Sequence, residues 1–152
     1  MIILPTMDNY DLLRHRLIKT LSAKNNEKTA DATTILWEQM ATKIISIVGE
    51  KGFKSLYIRS IILNASKLNA SKFSWFTAYN PKSEINNQFT ELKLCFEKQT
   101  SSQIIEVNTL LLITLTDILA SLIGEPLTTN ILCMAWGDAA SDIVTKEFNN
   151  ES

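Results

Sequence analysis

The stretch from Ile104 to Gly124, IIEVNTLLLITLTDILASLIG, is long enough to cross a lipid bilayer and decides between a membrane protein and a helical bundle. On a helical projection of about 100° per residue, its polar side chains gather on one side and its apolar side chains on the other. The polar side carries Glu106, Thr109, Thr116, Asp117 and Ser121, and the apolar side carries Ile104, Leu111, Leu115, Ile118 and Leu122. Acidic side chains near the middle of a spanning helix each cost roughly 2.5–3.5 kcal/mol. We therefore predict the central helix of a soluble bundle with no membrane partner.

Apolar residues recur at helical spacing along the rest of the chain. The predicted first helix runs from Asp8 to about Ala23, and later helix ends are marked by a glycine, a proline or a capping residue. These markers are Gly49, Ser83, Pro126 and Gly137. No strand-like alternation of apolar and polar residues occurs. The prediction is an all-α fold, a single-domain helical bundle of six to seven helices over residues 1–152.

Each predicted helix has an apolar stripe that should contribute to the core. The stripes of the first four helices are Tyr10, Leu13, Leu17 and Leu21; Trp37, Met40, Ala41, Ile44 and Val48; Phe53, Leu56, Tyr57, Ile61, Ala65 and Leu68; and Ile85, Phe89, Leu92 and Phe96. In the first helix the four basic positions are predicted to fall mostly outside the stripe, and His15 is expected to face water. These positions are Arg14, His15, Arg16 and Lys19.

A seven-residue pattern occurs twice in the chain. IISIVGE at Ile44–Glu50 returns in the second half of the chain as LASLIGE at Leu119–Glu125. With a one-residue deletion, Phe53, Tyr57 and Ile58 then match Leu127, Ile131 and Leu132. The pattern indicates two related three-helix halves, a pseudo-repeat of residues 8–68 and 83–136. The alternative is that two helix ends look alike because glycine is common at such ends.

The scarcity of His, Cys and Gly excludes several kinds of functional site. One His and two separated Cys cannot provide the four ligands of a structural zinc site, and four Gly leave little for a phosphate-binding loop. The sequence contains no dinucleotide-binding, phosphate-binding, nucleophile-elbow or metalloprotease motif. Glu50 and Glu125 each follow a glycine and are predicted to stabilise helix N-termini rather than to form an acid–base pair. We predict a non-catalytic protein with no cofactor and no bound metal.

His15 begins the sequence His-Arg-Leu-Ile-Lys-Thr-Leu on the predicted outer face of the first helix. This stretch loosely resembles the phosphoacceptor helix of histidine phosphotransfer domains, in which an aliphatic residue, a lysine and a glycine follow the histidine. Here Ile18 is inserted before Lys19, and Thr20 stands in place of the glycine. The resemblance implies that His15 is a candidate phosphoacceptor, and the alternative is a surface histidine without that role.

A basic segment lies between Lys43 and Lys72, which contains six cations and one acid. Lys51, Lys54 and Arg59 in this segment are candidate interaction residues. Because the cations do not share one helical stripe and the whole-chain pI is about 5.8, a protein is favoured over nucleic acid as the partner.

The two halves of the chain carry opposite net charge. Residues 1–76 hold 11 Lys+Arg and 6 Asp+Glu, for +5, whereas residues 77–152 hold 4 and 10, for −6. Such halves can dock onto each other, onto a second copy or onto a charged partner, and chance scatter of charge is the alternative. Three aromatic residues between the third and fourth predicted helices are further candidate interaction residues that could equally cap the bundle. They are Trp75, Phe76 and Tyr79.

These observations predict a regulatory or protein–protein interaction module that could form a homodimer. Cytoplasmic location is favoured because Cys95 and Cys133 show no disulfide pairing pattern. The alternative function is a sensor-type binder of a small apolar ligand, because helices rich in Ile, Leu, Phe and Met can enclose a pocket, although a closed core is the simpler expectation. Histidine phosphotransfer and nucleic-acid binding are less favoured.

Overall fold

The fold is all-α. A computed structural model describes residues 7–23, 29–68 and 85–150, and this part of the chain contains helices and no strand. The helices are α1 (Met7–Ser22), α2 (Thr29–Leu68), α3 (Ile85–Glu97), α4 (Ser101–Ile123) and α5 (Glu125–Asn150). The predicted all-α helical bundle is therefore confirmed. The candidate residues Trp75, Phe76 and Tyr79 and the predicted cap Ser83 lie outside the described residues.

Glycines interrupt the helices where the sequence predicts it. Gly49 inside α2 has φ 83° and ψ 167°, and Gly124 between α4 and α5 has φ 96° and ψ 153°. A side chain is strained in this part of conformational space, so glycine is the residue that fits. A third break occurs at Gly137 inside α5. The breaks at Gly49 and Gly137 divide the described helices into seven segments.

The start of α4 is fixed by a capping box. The Thr100 hydroxyl accepts the backbone N–H of Gln103 at 3.2 Å, and the Gln103 side chain accepts the backbone N–H of Thr100 at 3.1 Å. The two exchanged bonds satisfy N–H groups that have no partner within the helix. The capping box places the first residue of α4 at Ser101.

The two short helices each pack against the long helices of the opposite half of the chain. Helix α1 contacts mainly α4 and α5, and α3 contacts mainly α2, while α2 also packs along α4 and α5. On the surface, Lys93 of α3 approaches Asp31 of α2 at 2.7 Å, and this hydrogen bond raises the pKa of Lys93. The bundle is thus held together by contacts between residues that are far apart in sequence.

Most of the predicted core residues are buried. Trp37, Met40, Ala41, Ile44, Phe53, Leu56, Tyr57, Ile61, Phe89, Leu92 and Phe96 all lie in the core. The stripe of α1 is shifted from the prediction, since Tyr10 and Leu13 are only half-buried and Ile18 is fully buried. Val48 and Ala65 in α2 are also half-buried. The periodicity therefore predicted the core of α2 and α3 better than that of α1.

The largest correction in α1 concerns Arg14, whose side chain is 1% exposed rather than outside the stripe. On the helical projection Arg14 lies within about 20° of Leu21, so its phase already placed it among the apolar residues. The prediction for Arg14 was therefore wrong, because the phase of a residue on the helix decides which way its side chain points.

Helix α4 is long and apolar enough to cross a membrane by length and composition, with a mean hydropathy of 1.6, and half of that window is buried inside the bundle. Its buried face differs from the predicted one, because Ile118 is half-buried and Leu122 is 69% exposed. Thr116, predicted on the polar side, is fully buried. The buried residues of α4 are Ile104, Val107, Asn108, Leu111, Leu112, Leu115, Thr116, Leu119 and Ala120.

The repeated pattern has the same local structure in both copies. Ser46 donates its hydroxyl to the Lys43 carbonyl and Ser121 to the Ile118 carbonyl, both at 2.6 Å. The glycine of each copy has positive φ and extended ψ, as given above. These shared features support the two-half prediction, and the relation of the halves stays a prediction.

The one-residue deletion in the predicted alignment is not needed. It pairs Phe53, which is fully buried, with Leu127, which is exposed. An ungapped alignment, in which Gly49 corresponds to Gly124 throughout, instead pairs residues that are buried in both copies. These pairs are Phe53 with Thr128, Leu56 with Ile131 and Tyr57 with Leu132.

Candidate functional site

A buried arginine joins α1 to α4 and α5. The Arg14 guanidinium donates to both carboxylate oxygens of Glu125, from Nε at 3.1 Å and from Nη2 at 3.0 Å. Its Nη1 lies 2.7 Å from the Thr116 hydroxyl and 2.7 Å from the Asp117 carboxylate. Two acids thus pair with one buried cation, and each of its three guanidinium nitrogens contacts a side-chain oxygen of α4 or α5. The arrangement is that of a structural ion-pair cluster.

The sequence pattern predicted separate roles for the members of this cluster and no contact among them. Glu125 lies in the first turn of α5, as predicted for a helix N-terminus, and it also binds Arg14. The partners are more than 100 residues apart, at a separation where no local spacing rule applies. The only signal in the sequence was the phase of Arg14 on the apolar stripe of α1.

His15 is held against α4 rather than free in water. Its Nε2 lies 2.8 Å from Oδ1 of Asp117, and the ring is 30% exposed. A phosphoryl group carried on Nε2 would meet the negative charge of that carboxylate, so this geometry disfavours the phosphoacceptor role. The candidate phosphoacceptor stays a prediction, and the contact explains how Asp117 positions the imidazole.

A second polar contact lies inside the core. Trp37 of α2 donates its indole N–H to the Asn108 side chain of α4 at 2.6 Å, and Asn108 donates to the Ser22 hydroxyl of α1 at 3.3 Å. Three helices are joined by these two bonds. Because these polar groups bond to one another in the core, the contact serves the packing of the three helices.

An open groove runs between α1 and the first half of α4. Its volume is about 560 Å³, and Ile105, Leu110 and Ile113 form its apolar floor, with Lys19 and Glu106 at its edges. This volume falls within the range of about 300–1,000 Å³ that is typical of small-molecule sites. The groove is a surface feature and not the enclosed pocket that the ligand-binding alternative would have placed between facing helices.

The candidate interaction residues of the basic segment lie on one side of α2, after Gly49. Lys51 and Arg59 are exposed and Lys54 is half-buried. Ile58 and Ile62 lie between them, half-buried and 61% exposed respectively. We call these five residues the basic face.

None of the three cations of the basic face is paired with an acid or hydrogen-bonded to another side chain among the residues that the structure describes. This distinguishes them from Arg14, which is compensated by two acids, and from Lys93, which is paired with Asp31. The basic face therefore presents positive charge and apolar area that nothing within the described chain neutralises or covers.

The corresponding surface of the other half lacks this character. In the ungapped alignment, Lys51, Lys54 and Arg59 correspond to Pro126, Thr129 and Met134, and Ile62 corresponds to Gly137. No cation occupies any of these four positions of α5. The basic face is thus a property of the first half alone.

Within the described residues, no group of three His, Cys, Asp or Glu side chains is placed to hold a metal ion.

Comparisons with known proteins add no assignment to this geometry. No family model, no curated protein and no solved structure matches the chain.

Proposed function

We propose that this protein is a non-catalytic interaction or regulatory module of the cytoplasm, and that it binds a protein partner through the basic face. The observation that carries the proposal is the group of cations Lys51, Lys54 and Arg59 around the exposed Ile62, which have no acidic partner among the described residues. Exposed apolar area bordered by charge is typical of surfaces that bind another protein. The partner is another protein or a second copy of this chain.

The charges elsewhere in the bundle support a binding role over a catalytic one. Arg14 is paired with Asp117 of α4 and Glu125 of α5, so this cluster joins α1 to both helices and has a structural role in the bundle. The basic face, in contrast, has charge without an internal structural role.

The test compares three full-length proteins by affinity purification from cells and by size-exclusion chromatography with light scattering. These are the wild type, a variant with Lys51→Glu, Lys54→Glu and Arg59→Glu, and a control with Lys19→Glu, Lys43→Glu and Lys98→Glu. Both triple variants change the net charge equally. We expect the wild type and the control to recover the same partner, or to dimerise, and the variant of the basic face to lose it. Equal recovery by all three, or a monomer with no partner at any concentration, would contradict the proposal.

The open groove favours a second candidate function, the binding of a small apolar ligand. Its floor of Ile105, Leu110 and Ile113 offers apolar area of a size that suits such a ligand. We expect a fatty acid or an apolar dye to raise the melting temperature of the wild type, and Leu110→Asp to abolish the increase. A ligand effect that is unchanged in Leu110→Asp would exclude the groove as its site.

A further inference from the structure

The apolar part of the basic face is a narrow ridge along α2. Ile58 and Ile62 are four residues apart and lie within about 40° of each other on the helical projection, so their side chains follow one line along the helix. Lys51 continues this line toward Gly49. A ridge of this width matches the line of apolar residues that one helix presents to another, as at a coiled-coil seam.

The cations lie on both sides of this ridge. Lys54 lies about 40° from Ile58 on one side, and Arg59 lies about 60° from Ile62 on the other. In helix pairs, charged residues that flank an apolar seam select partners of opposite charge on the facing helix. A complementary partner would therefore carry apolar residues at a spacing of three to four, with Asp or Glu on both flanks.

We propose that the basic face binds an acidic amphipathic helix of a partner protein. The proposal rests on the proposed function and names the chemistry of the partner for that same surface. It assigns Ile58 and Ile62 to the apolar contact, and Lys54 and Arg59 to ion pairs with acids on the two flanks of the bound helix.

The same geometry favours a protein helix over two other anionic partners. A membrane surface would require a broad apolar face with large residues entering the lipid, whereas here Arg59 lies between Ile62 and Leu63, the other exposed large apolar residue of this segment. A nucleic acid binds most tightly to cations that lie together along one groove, but here the exposed Ile62 separates Lys54 from Arg59. A helix with an apolar stripe and acids on both flanks would contact the ridge and also the cations on its two sides.

The experiment measures binding to the full-length protein by fluorescence anisotropy. The probe is a labelled, stapled helical peptide of about four turns, with Leu at positions spaced three and four residues apart and Glu on both flanks. The control peptide carries Lys at every Glu position. Vesicles of anionic phospholipid and a single-stranded oligonucleotide serve as the other two probes, at low and at high salt.

We expect the Glu peptide to bind at least about tenfold more tightly than the Lys peptide. In the complex with the Lys peptide, each ion pair with the basic face is replaced by a repulsion of similar size. Arg59→Glu and Ile62→Ser should each weaken binding of the Glu peptide, whereas Met134→Ser, the position on α5 that corresponds to Arg59, should not. Because Arg59 and Ile62 are exposed, both variants are expected to fold, and their melting temperatures check this.

Equal affinity for the two peptides, or binding unaffected by Arg59→Glu, would overturn the proposal. Stronger binding of the vesicles or of the oligonucleotide than of the Glu peptide would also overturn it, in favour of that partner. If cells yield a partner that depends on the basic face but the Glu peptide does not bind, the interaction role stands and only the partner chemistry is wrong. If neither is observed, both proposals fail.

Discussion

Arg14 in α1 and Phe89 in α3 occupy corresponding positions on the two short helices in the ungapped alignment of the two halves. Both side chains are buried, at 1% and 5% exposed, and each points at the long helices of the opposite half. Phe89 packs against an aromatic cluster of α2, with ring centroids 6.0 Å from Trp37, 6.1 Å from Phe53 and 5.7 Å from Tyr57. Arg14 instead meets two carboxylates and a hydroxyl. One position of the fold is thus filled by charge at one end and by aromatic rings at the other.

The surrounding residues change together with these two side chains. Where Arg14 binds Thr116 and Asp117 of α4, the corresponding residues of α2 are Ala41 and Thr42. If α1 and α3 exchanged places, the one corresponding acid would be Glu50 in place of Glu125, and the buried Arg14 would lose the hydroxyl of Thr116 and the carboxylate of Asp117. We infer that the difference between the two clusters fixes which short helix packs at which end.

The largest effect is expected at the aromatic end. Phe89→Ala should lower the free energy of unfolding by about 3–5 kcal/mol, because it removes a ring packed against three others and leaves a cavity. Urea denaturation monitored by circular dichroism measures this loss. Leu94→Ala on the same helix, where the side chain is exposed, is the matched control and should change stability by less than about 0.5 kcal/mol. Similar losses in both variants would mean that Phe89 is not a core residue.

A smaller loss is expected at the charged end. Arg14→Met should cost about 2–3 kcal/mol, since it leaves Glu125 and Asp117 without their cation. Those carboxylates are 25% and 48% exposed, so water replaces part of the lost interaction and keeps the cost below that at Phe89. Denaturation in urea again gives the value, with Lys19→Met as the control.

The origin of that loss can be checked by neutralising the acids as well. A triple variant with Arg14→Met, Asp117→Asn and Glu125→Gln should recover at least half of the lost stability, because no uncompensated charge is then left. No recovery would show that Arg14 stabilises the bundle through packing of its side chain rather than through charge.

Substitution of Gly49 and Gly124 tests whether the two halves have the same backbone conformation at the corresponding turns. Gly49→Ala and Gly124→Ala should each lower stability by about 1–3 kcal/mol, and by similar amounts, because both glycines have positive φ. The loss comes from the backbone, since a Cβ at Gly49 meets no atom within 4 Å and one at Gly124 comes no closer than 3.9 Å to Pro126. Thermal denaturation compares the two directly. A loss at only one site would argue against corresponding turns.

The smallest effect is expected for the reactivity of the two thiols, Cys95 in α3 and Cys133 in α5. Burial raises the pKa of Cys95 in α3 and of Cys133 in α5, so the thiolate fraction near pH 8 is lower than for a free thiol. Both should react slowly with iodoacetamide, and faster as the pH rises through the raised pKa. The thiol form that burial favours contributes stability below the pKa of the unfolded chain, and this contribution is lost above the folded pKa. Mass spectrometry gives each rate, and a rate equal to that of a free thiol at either site would contradict the burial of that cysteine.

Helix positions and most core residues could be predicted from local pattern. The spacing of Trp37, Met40 and Ile44 and of Phe89, Leu92 and Phe96 fixes which face of each helix is buried, because the helical period is a property of the backbone. The breaks at Gly49 and Gly124 were also predictable from residue type. The shifted stripe of α4 was not, because α4 is apolar on most sides and contact with α1, α2 and α5 decides which side is covered.

The basic face illustrates what composition alone could and could not supply. Lys51, Lys54 and Arg59 were candidate interaction residues from their abundance in one segment, but their angular spread argued against a shared surface. The exposure of Ile62 and the half-buried Ile58 define the ridge between them, and those values depend on how α2 packs in the bundle.

The sequence by itself determined an all-α chain, the breaks at its glycines and most of the core residues of α2 and α3, since these follow from periodicity and from the backbone preferences of glycine and proline. Only the tertiary structure decided that α1 packs against α4 and α5, that Arg14 is buried and that Glu125 and Asp117 compensate its charge. The physical reason is range: helix formation depends on neighbours within about four residues, whereas the pairing of Arg14 with Glu125 joins residues 111 positions apart and exists only once the bundle has formed.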